Sequence, residues 1–157
     1  MNKKVVLVLA AIVLITGIGA ALYYMNTRPY VPANDVQVRT VVYGFGDEVG
    51  QVRLFGAQDD IAVSMEKHYA LYVQPTLLAR WKAAPATAPG RVEGKPVPDR
   101  IDIRTLEKRA DGSYEVIADL VNRATVTELS TNTTSTAIKL VVSQGPDGWQ
   151  ITEYQTL

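Results

Sequence analysis

Three observations predict an α+β fold, with three helices packed on one face of a four-stranded antiparallel sheet. Apolar residues recur at helical spacing from Val38 to Trp81. They alternate with polar residues from Arg100 to the C-terminus. A proline-rich stretch divides the two regions, so the helices are segregated from the strands. The chain has 157 residues, enough for one domain and a short additional segment.

That segment comes first. Val5–Tyr24 is twenty residues without a charge, about 30 Å as a helix, and suffices to cross a bilayer core. Lys3 and Lys4 precede it, which keeps the N-terminus in the cytoplasm, and Tyr23 and Tyr24 suit the far interface. Gly19-Ala20-Ala21 offers an alternative, a signal-peptide cleavage site. The apolar run continues past it, so an uncleaved anchor over residues 1–25 is favoured over a secreted or periplasmic product. Either way the domain is expected outside the cytoplasm. Residues 26–34 form a linker held extended by Pro29 and Pro32, and residues 35–157 form the extracytoplasmic domain.

Asp35 reads as the cap of a first helix running from Val36 to about Arg53. Its apolar side is Val38, Val41, Val42, Phe45, Val49 and Val52. Gly44, Gly46 and Gly50 weaken it, and either allow close packing against the next helix or mark a kink. A phosphate-binding loop is excluded, because no strand precedes the glycines and no Lys-Ser or Lys-Thr pair follows. After a turn over residues 54–58, Asp59 or Asp60 caps a second helix with Ile61, Met65, His68, Tyr69 and Tyr72 on one side. Gln74-Pro75 ends it and starts a third, which buries Leu77, Leu78 and Trp81. Pro85–Pro98 is the crossing loop.

The strands follow. Arg100–Lys108 places Ile101 and Ile103 opposite Asp102 and Arg104, and Ala110-Asp111-Gly112 is a hairpin turn. Ser113–Glu128 reads as one long strand, apolar in part on both faces, and Leu129–Thr134 as a polar turn. Ser135–Ser143 and a last strand from Trp149 to about Tyr154 flank the turn Gln144–Gly148.

This order of elements resembles the nuclear transport factor two-like, or cystatin-like, superfamily. The likeness covers Asp35–Leu157 and rests on three features. They are the element order, the loop from Ala88-Pro89-Gly90-Arg91 to Pro98-Asp99-Arg100-Ile101, and the closing Asp147-Gly148-Trp149-Gln150-Ile151. It implies a cone, in which a strongly curved sheet wraps around the helices. The layout is similar to that of bacterial proteins with one anchor and one exposed domain of this kind, a layout shared by inner-membrane assembly factors of type IV secretion systems.

Composition excludes several chemistries. Basic and acidic residues balance at 16 each, which gives no electrostatic footprint for nucleic acid. The absence of cysteine removes disulfides, thiolate metal sites, iron–sulfur clusters, a cysteine nucleophile and a lipoprotein anchor. No cofactor motif or EF-hand is present, and Asp59-Asp60 is better read as a helix start than as a metal site. The resemblance implies that any catalysis would lie in the cone, where the superfamily's isomerases and dehydratases need a base and an oxyanion donor. The cavity candidates are His68, Tyr69, Tyr72 and Tyr114, with Asp99 and Asp119 as further carboxylates. His68 is the only histidine, and no spacing pairs it with a carboxylate, so a core or boundary position is the simpler reading. No catalytic set stands out. The expected function is therefore non-enzymatic: an anchored domain that binds a protein partner or a second copy of itself. The alternatives are a small-molecule binder or lyase/isomerase using the cone, and a scaffold in a secretion or cell-envelope complex.

Overall fold

The computed structural model describes residues 32–123, 125–127 and 130–157. The apolar run at residues 5–24 and most of the linker lie outside the described residues. Among the described residues no helix is long and apolar enough to cross a membrane.

The described domain is α+β, with three helices and a four-stranded antiparallel sheet. The elements are α1 (Ala33–Val49), α2 (Gln58–Tyr69), α3 (Pro75–Ala83), a 3-10 turn (Pro85–Thr87), β1 (Pro98–Lys108), β2 (Tyr114–Asn122), β3 (Thr125–Thr127), β4 (Ser130–Asn132), β5 (Ser135–Gly145) and β6 (Gly148–Thr156). The sheet order is β1-β2-β5-β6, a meander, and β3-β4 forms a separate two-stranded ribbon.

Helix α1 starts three residues earlier than the sequence suggests and stops at Val49. Asp35 thus lies inside its first turn, not at the cap, where its charge still favours the helix N-terminus. Val38, Val42, Phe45 and Val49 are fully buried, as their spacing requires, and Val52 is buried beyond the helix end. The glycines serve close approach. A Cβ on Gly46 would lie 2.8 Å from the Ile101 amide nitrogen, and one on Gly50 would overlap the Pro98 carbonyl oxygen. At Gly46 and Gly50 the close approach is thus to β1. A Cβ on Gly44 would meet the Tyr72 ring at 2.6 Å.

Helix α2 is preceded by Ala57 with no side-chain cap. Asp59 and Asp60 sit in its first turn and act on the helix dipole only. Ile61, Met65 and Tyr69 are buried. Pro75 opens α3 as predicted, with Leu77, Leu78 and Trp81 inside. The crossing loop is tied down midway: Arg91 N–H donates to the Val52 carbonyl at 2.8 Å and Leu54 N–H to the Arg91 carbonyl at 2.9 Å.

In the sheet, Tyr114, Val116, Ala118 and Leu120 of β2 face the helices together with Ile138, Leu140 and Val142 of β5. A register shift between Ile103 and Thr105 re-phases β1, so that Leu106 joins Ile101 and Ile103 on the core side. The long strand expected over Ser113–Glu128 ends at Asn122, and residues 129–134 are not a simple turn, since β4 begins at Ser130. Asn122 N–H donates to the Thr134 carbonyl at 2.8 Å, while Arg123 N–H turns away to the Val97 carbonyl at 2.7 Å. The backbone thus leaves the main sheet there, and the ribbon closes on itself. Strands β5 and β6 each run two residues further than their alternation suggested, with only Pro146 and Asp147 between them.

Replacing Gly46 by alanine is expected to destabilise the domain by about 1–3 kcal/mol, because the methyl overpacks against β1. Alanine in an unobstructed helix would instead stabilise by about 0.5–1 kcal/mol. The urea midpoint of the full chain reads the sign directly, and a rise would contradict the close approach.

Candidate functional site

The three helices and the sheet meet in an aromatic cluster. Phe45 of α1 lies 5.0 Å from Tyr69 of α2 and 6.1 Å from Trp81 of α3, centre to centre. Tyr69 and Trp81 meet edge to face at 5.7 Å, and Tyr154 of β6 meets Trp81 at 5.8 Å. Met65 packs in the same fully buried core. Such pairs add about 0.5–1.5 kcal/mol each beyond area burial. The Tyr69 hydroxyl donates to the Pro89 carbonyl oxygen at 2.6 Å. No buried side-chain polar atom among the described residues lacks a partner.

Each candidate from the sequence has a definite place. Tyr69 is fully buried, with its hydroxyl committed to the crossing loop. Tyr114 is buried against Trp149 at 5.3 Å, and burial, then the Asp35 carboxylate beside it, raises its pKa. Neither lines an open cavity. Tyr72 is half-buried and does line a groove. Asp119 lies on the outer sheet face, where Arg104 holds it by two bonds, the Nη2 one at 2.6 Å. Asp99 pairs with Arg100 and Arg123 at 3.4 and 3.5 Å.

His68 takes the boundary position expected of it, with a carboxylate partner that no spacing indicated. Its Nδ1 lies 2.6 Å from Glu48 Oε2, across the α1–α2 junction. The histidine and glutamate side chains are 19% and 34% exposed, so the pair sits at the surface of the helical layer. Glu48 was missed because twenty residues and a turn separate it from His68, beyond any local spacing rule. The structure does not bring His68 together with Tyr69 or Tyr114 around a shared opening.

Open space lies at the periphery. One groove of about 470 Å³ is lined by Gln37, Thr40 and Val41 of α1, by Leu71 and Tyr72, and by Gln144, Asp147, Gly148 and Trp149 around the β5–β6 turn. The Trp149 indole donates to Gln37 Oε1 at 2.9 Å, fixing α1 to β6. Two further grooves, of about 460 and 370 Å³, lie on either side of Tyr154. One carries Arg80 beside Trp81, and the other carries Lys95, Asn122 and the hydroxyls of Thr134, Ser135 and Thr136. Among the described residues no group of three or more histidine and carboxylate side chains could hold a metal ion.

No protein-family model matches the chain, and no curated protein matches it. Among solved structures, the intermembrane space region of the chloroplast protein ARC6 is similar at 19% identity. The match covers 82% of this chain and 98% of that one, with a TM-score of 0.46.

Replacing Tyr69 by phenylalanine removes the donor to the Pro89 carbonyl, and about 1–3 kcal/mol of stability is expected to be lost. An unchanged urea midpoint would mean the carbonyl finds another donor. Burial also raises the pKa of both Tyr69 and Tyr154. An unfolded tyrosine releases its proton near 10. The native state therefore binds more protons than the unfolded state above that pH, so their stabilisation is complete below about pH 10 and is lost as pH rises through the higher native values. Stability measured from pH 8 to 11.5 should fall at the alkaline end, and less steeply in Tyr154→Phe.

Proposed function

We propose that the chain is a single-pass membrane protein whose domain, outside the cytoplasm, binds a protein partner or a second copy and catalyses no reaction. The filled interior carries this reading. Phe45, Met65, Tyr69 and Trp81 occupy the space that a cone enzyme would leave for its substrate. The twenty uncharged residues at 5–24 support the anchor, and release by cleavage after them is the alternative. Membership of the nuclear transport factor two-like superfamily is part of the proposal. The order of helices and strands supports it, as do the three register shifts in the main sheet, since bulges bend strands in the way a cone requires. A scaffold in a secretion or envelope complex is the narrower form of this function.

A second reading rests on the Glu48–His68 contact, because a carboxylate that orients an imidazole is a common arrangement for a general base. It would serve a small-molecule binder or a lyase/isomerase.

Two experiments separate these readings. Full-length protein with a C-terminal tag, expressed in bacteria, should lose the tag when protease is added to spheroplasts. Light scattering of the detergent-solubilised chain and cross-linking in membranes should show a dimer or one defined adduct. A protected tag would overturn the location, and a monomer without adducts would overturn the binding role. For the second reading, a ligand that raises the melting temperature of the wild type should fail to do so with His68→Ala; an undiminished shift would remove His68 from the site.

A further inference from the structure

Five large apolar side chains are exposed among the described residues: Val36, Tyr43, Val63, Leu71 and Leu157. Two of them, Val36 and Tyr43, lie on one side of α1. Val36, Thr40 and Tyr43 follow one another at positions i, i+4 and i+7, so they share a helix side. Thr40 lines the groove that Leu71, Tyr72 and Trp149 also line. Leu71 is 76% exposed, Val36 52% and Tyr43 45%. Leu71 lines the groove with an indole and a phenol, and Val36 and Tyr43 flank it on the α1 side that Thr40 shares, a strip that runs up to the exposed Asp47 one turn beyond Tyr43. Of the residues lining that groove, Asp147 alone is charged.

The chain before α1 says what covers the strip. Only eight residues, Met25–Pro32, separate the charge-free run from the first residue of α1. Fully extended, they reach no more than about 29 Å. Val36 lies in the first turn of α1, so the strip begins at the end of the domain that this tether holds. A bilayer surface is then present at a high effective concentration, whereas a second copy must be found by diffusion. The composition also suits lipid: aliphatic side chains with tyrosine and tryptophan beside them fit the boundary between acyl chains and headgroups.

We propose that Val36, Tyr43 and Leu71 dock the folded domain on the bilayer in which the chain is anchored, with the side chains in the interfacial layer. This rests on the anchor reading of Val5–Tyr24. The contact is apolar rather than electrostatic, because no basic side chain lines the groove and the charges one turn either side of Tyr43, Arg39 and Asp47, are of opposite sign. It should form on zwitterionic phosphatidylcholine and persist at high salt, unlike a polybasic contact.

The chain has no cysteine, so single-cysteine reporters need no background substitutions. Full-length Leu71→Cys, Tyr43→Cys, Val63→Cys and Leu14→Cys would each be labelled with a polarity-sensitive fluorophore and reconstituted in phosphatidylcholine vesicles. Val63 is 68% exposed on α2 and outside the strip. The expected result is a blue shift at Leu71 and Tyr43, loss of emission there when nitroxide-labelled lipid is included, and neither effect at Val63. A water-like signal at Leu71 and Tyr43, with Leu14 in lipid, would overturn docking and leave the anchor standing. A water-like signal at Leu14 would overturn the anchor and docking together. A blue shift at Leu71 that depends on protein density and is not quenched by lipid nitroxide would assign the strip to a second copy and overturn the lipid contact.

Discussion

The packing of this domain turns on one buried hydroxyl. Tyr69 stands where α1, α2 and α3 converge, and its ring contacts Phe45 and Trp81. Its oxygen reaches the backbone of the crossing loop at Pro89. Proline leaves that loop with fewer amide donors, and a buried carbonyl without a partner is costly. The phenol satisfies the carbonyl and lets the loop lie close over the aromatic cluster. One side chain thus ties the helical layer to the crossing loop, its ring and hydroxyl serving different neighbours, beside the backbone bonds of Arg91 with Val52 and Leu54.

Around that joint the backbone makes close contacts that side chains could not. Gly46 and Gly50 bring α1 onto β1, at one edge of the sheet. At the other edge, Ile151 of β6 exchanges hydrogen bonds with Tyr72 and Gln74, at 2.8 and 2.9 Å. The loop between α2 and α3 thereby acts as a short parallel partner to the last strand. It covers part of an edge whose free amides would otherwise invite pairing with another chain.

What could be read from the sequence follows from the range of each physical signal. Helix and strand periodicities are local, and they correctly located Val38, Phe45, Met65, Leu78, Val116 and Leu140 in the core. Pro75 marked its helix start for an equally local reason. Three features escaped because their causes are not local. Helix caps depend on the conformation of the preceding residue, so Asp35 and Asp59-Asp60 proved to be first-turn residues. Alternation continues through residues 123–128, but the chain leaves the sheet at Arg123 to bond with Val97. The Glu48–His68 and Gln37–Trp149 contacts join residues 20 and 112 positions apart, and no spacing pattern reaches so far. The tyrosines were legible as amphipathic packing residues. Which of them would be sealed inside was set by tertiary contacts alone.

The Gln37–Trp149 bond has a further consequence for biosynthesis. It joins the first helix to the last strand, and Val38, Val42 and Phe45 share their burial with Ile151. A nascent chain lacking β6 would leave that side of α1 open to water. The edge of β5 would also be bare, because β6 is its outer neighbour. Closing so long a loop carries an entropic cost that is recovered only when the final strand arrives. The domain should therefore complete its fold only once β6 has left the ribosome, and until then it remains open to chaperone engagement.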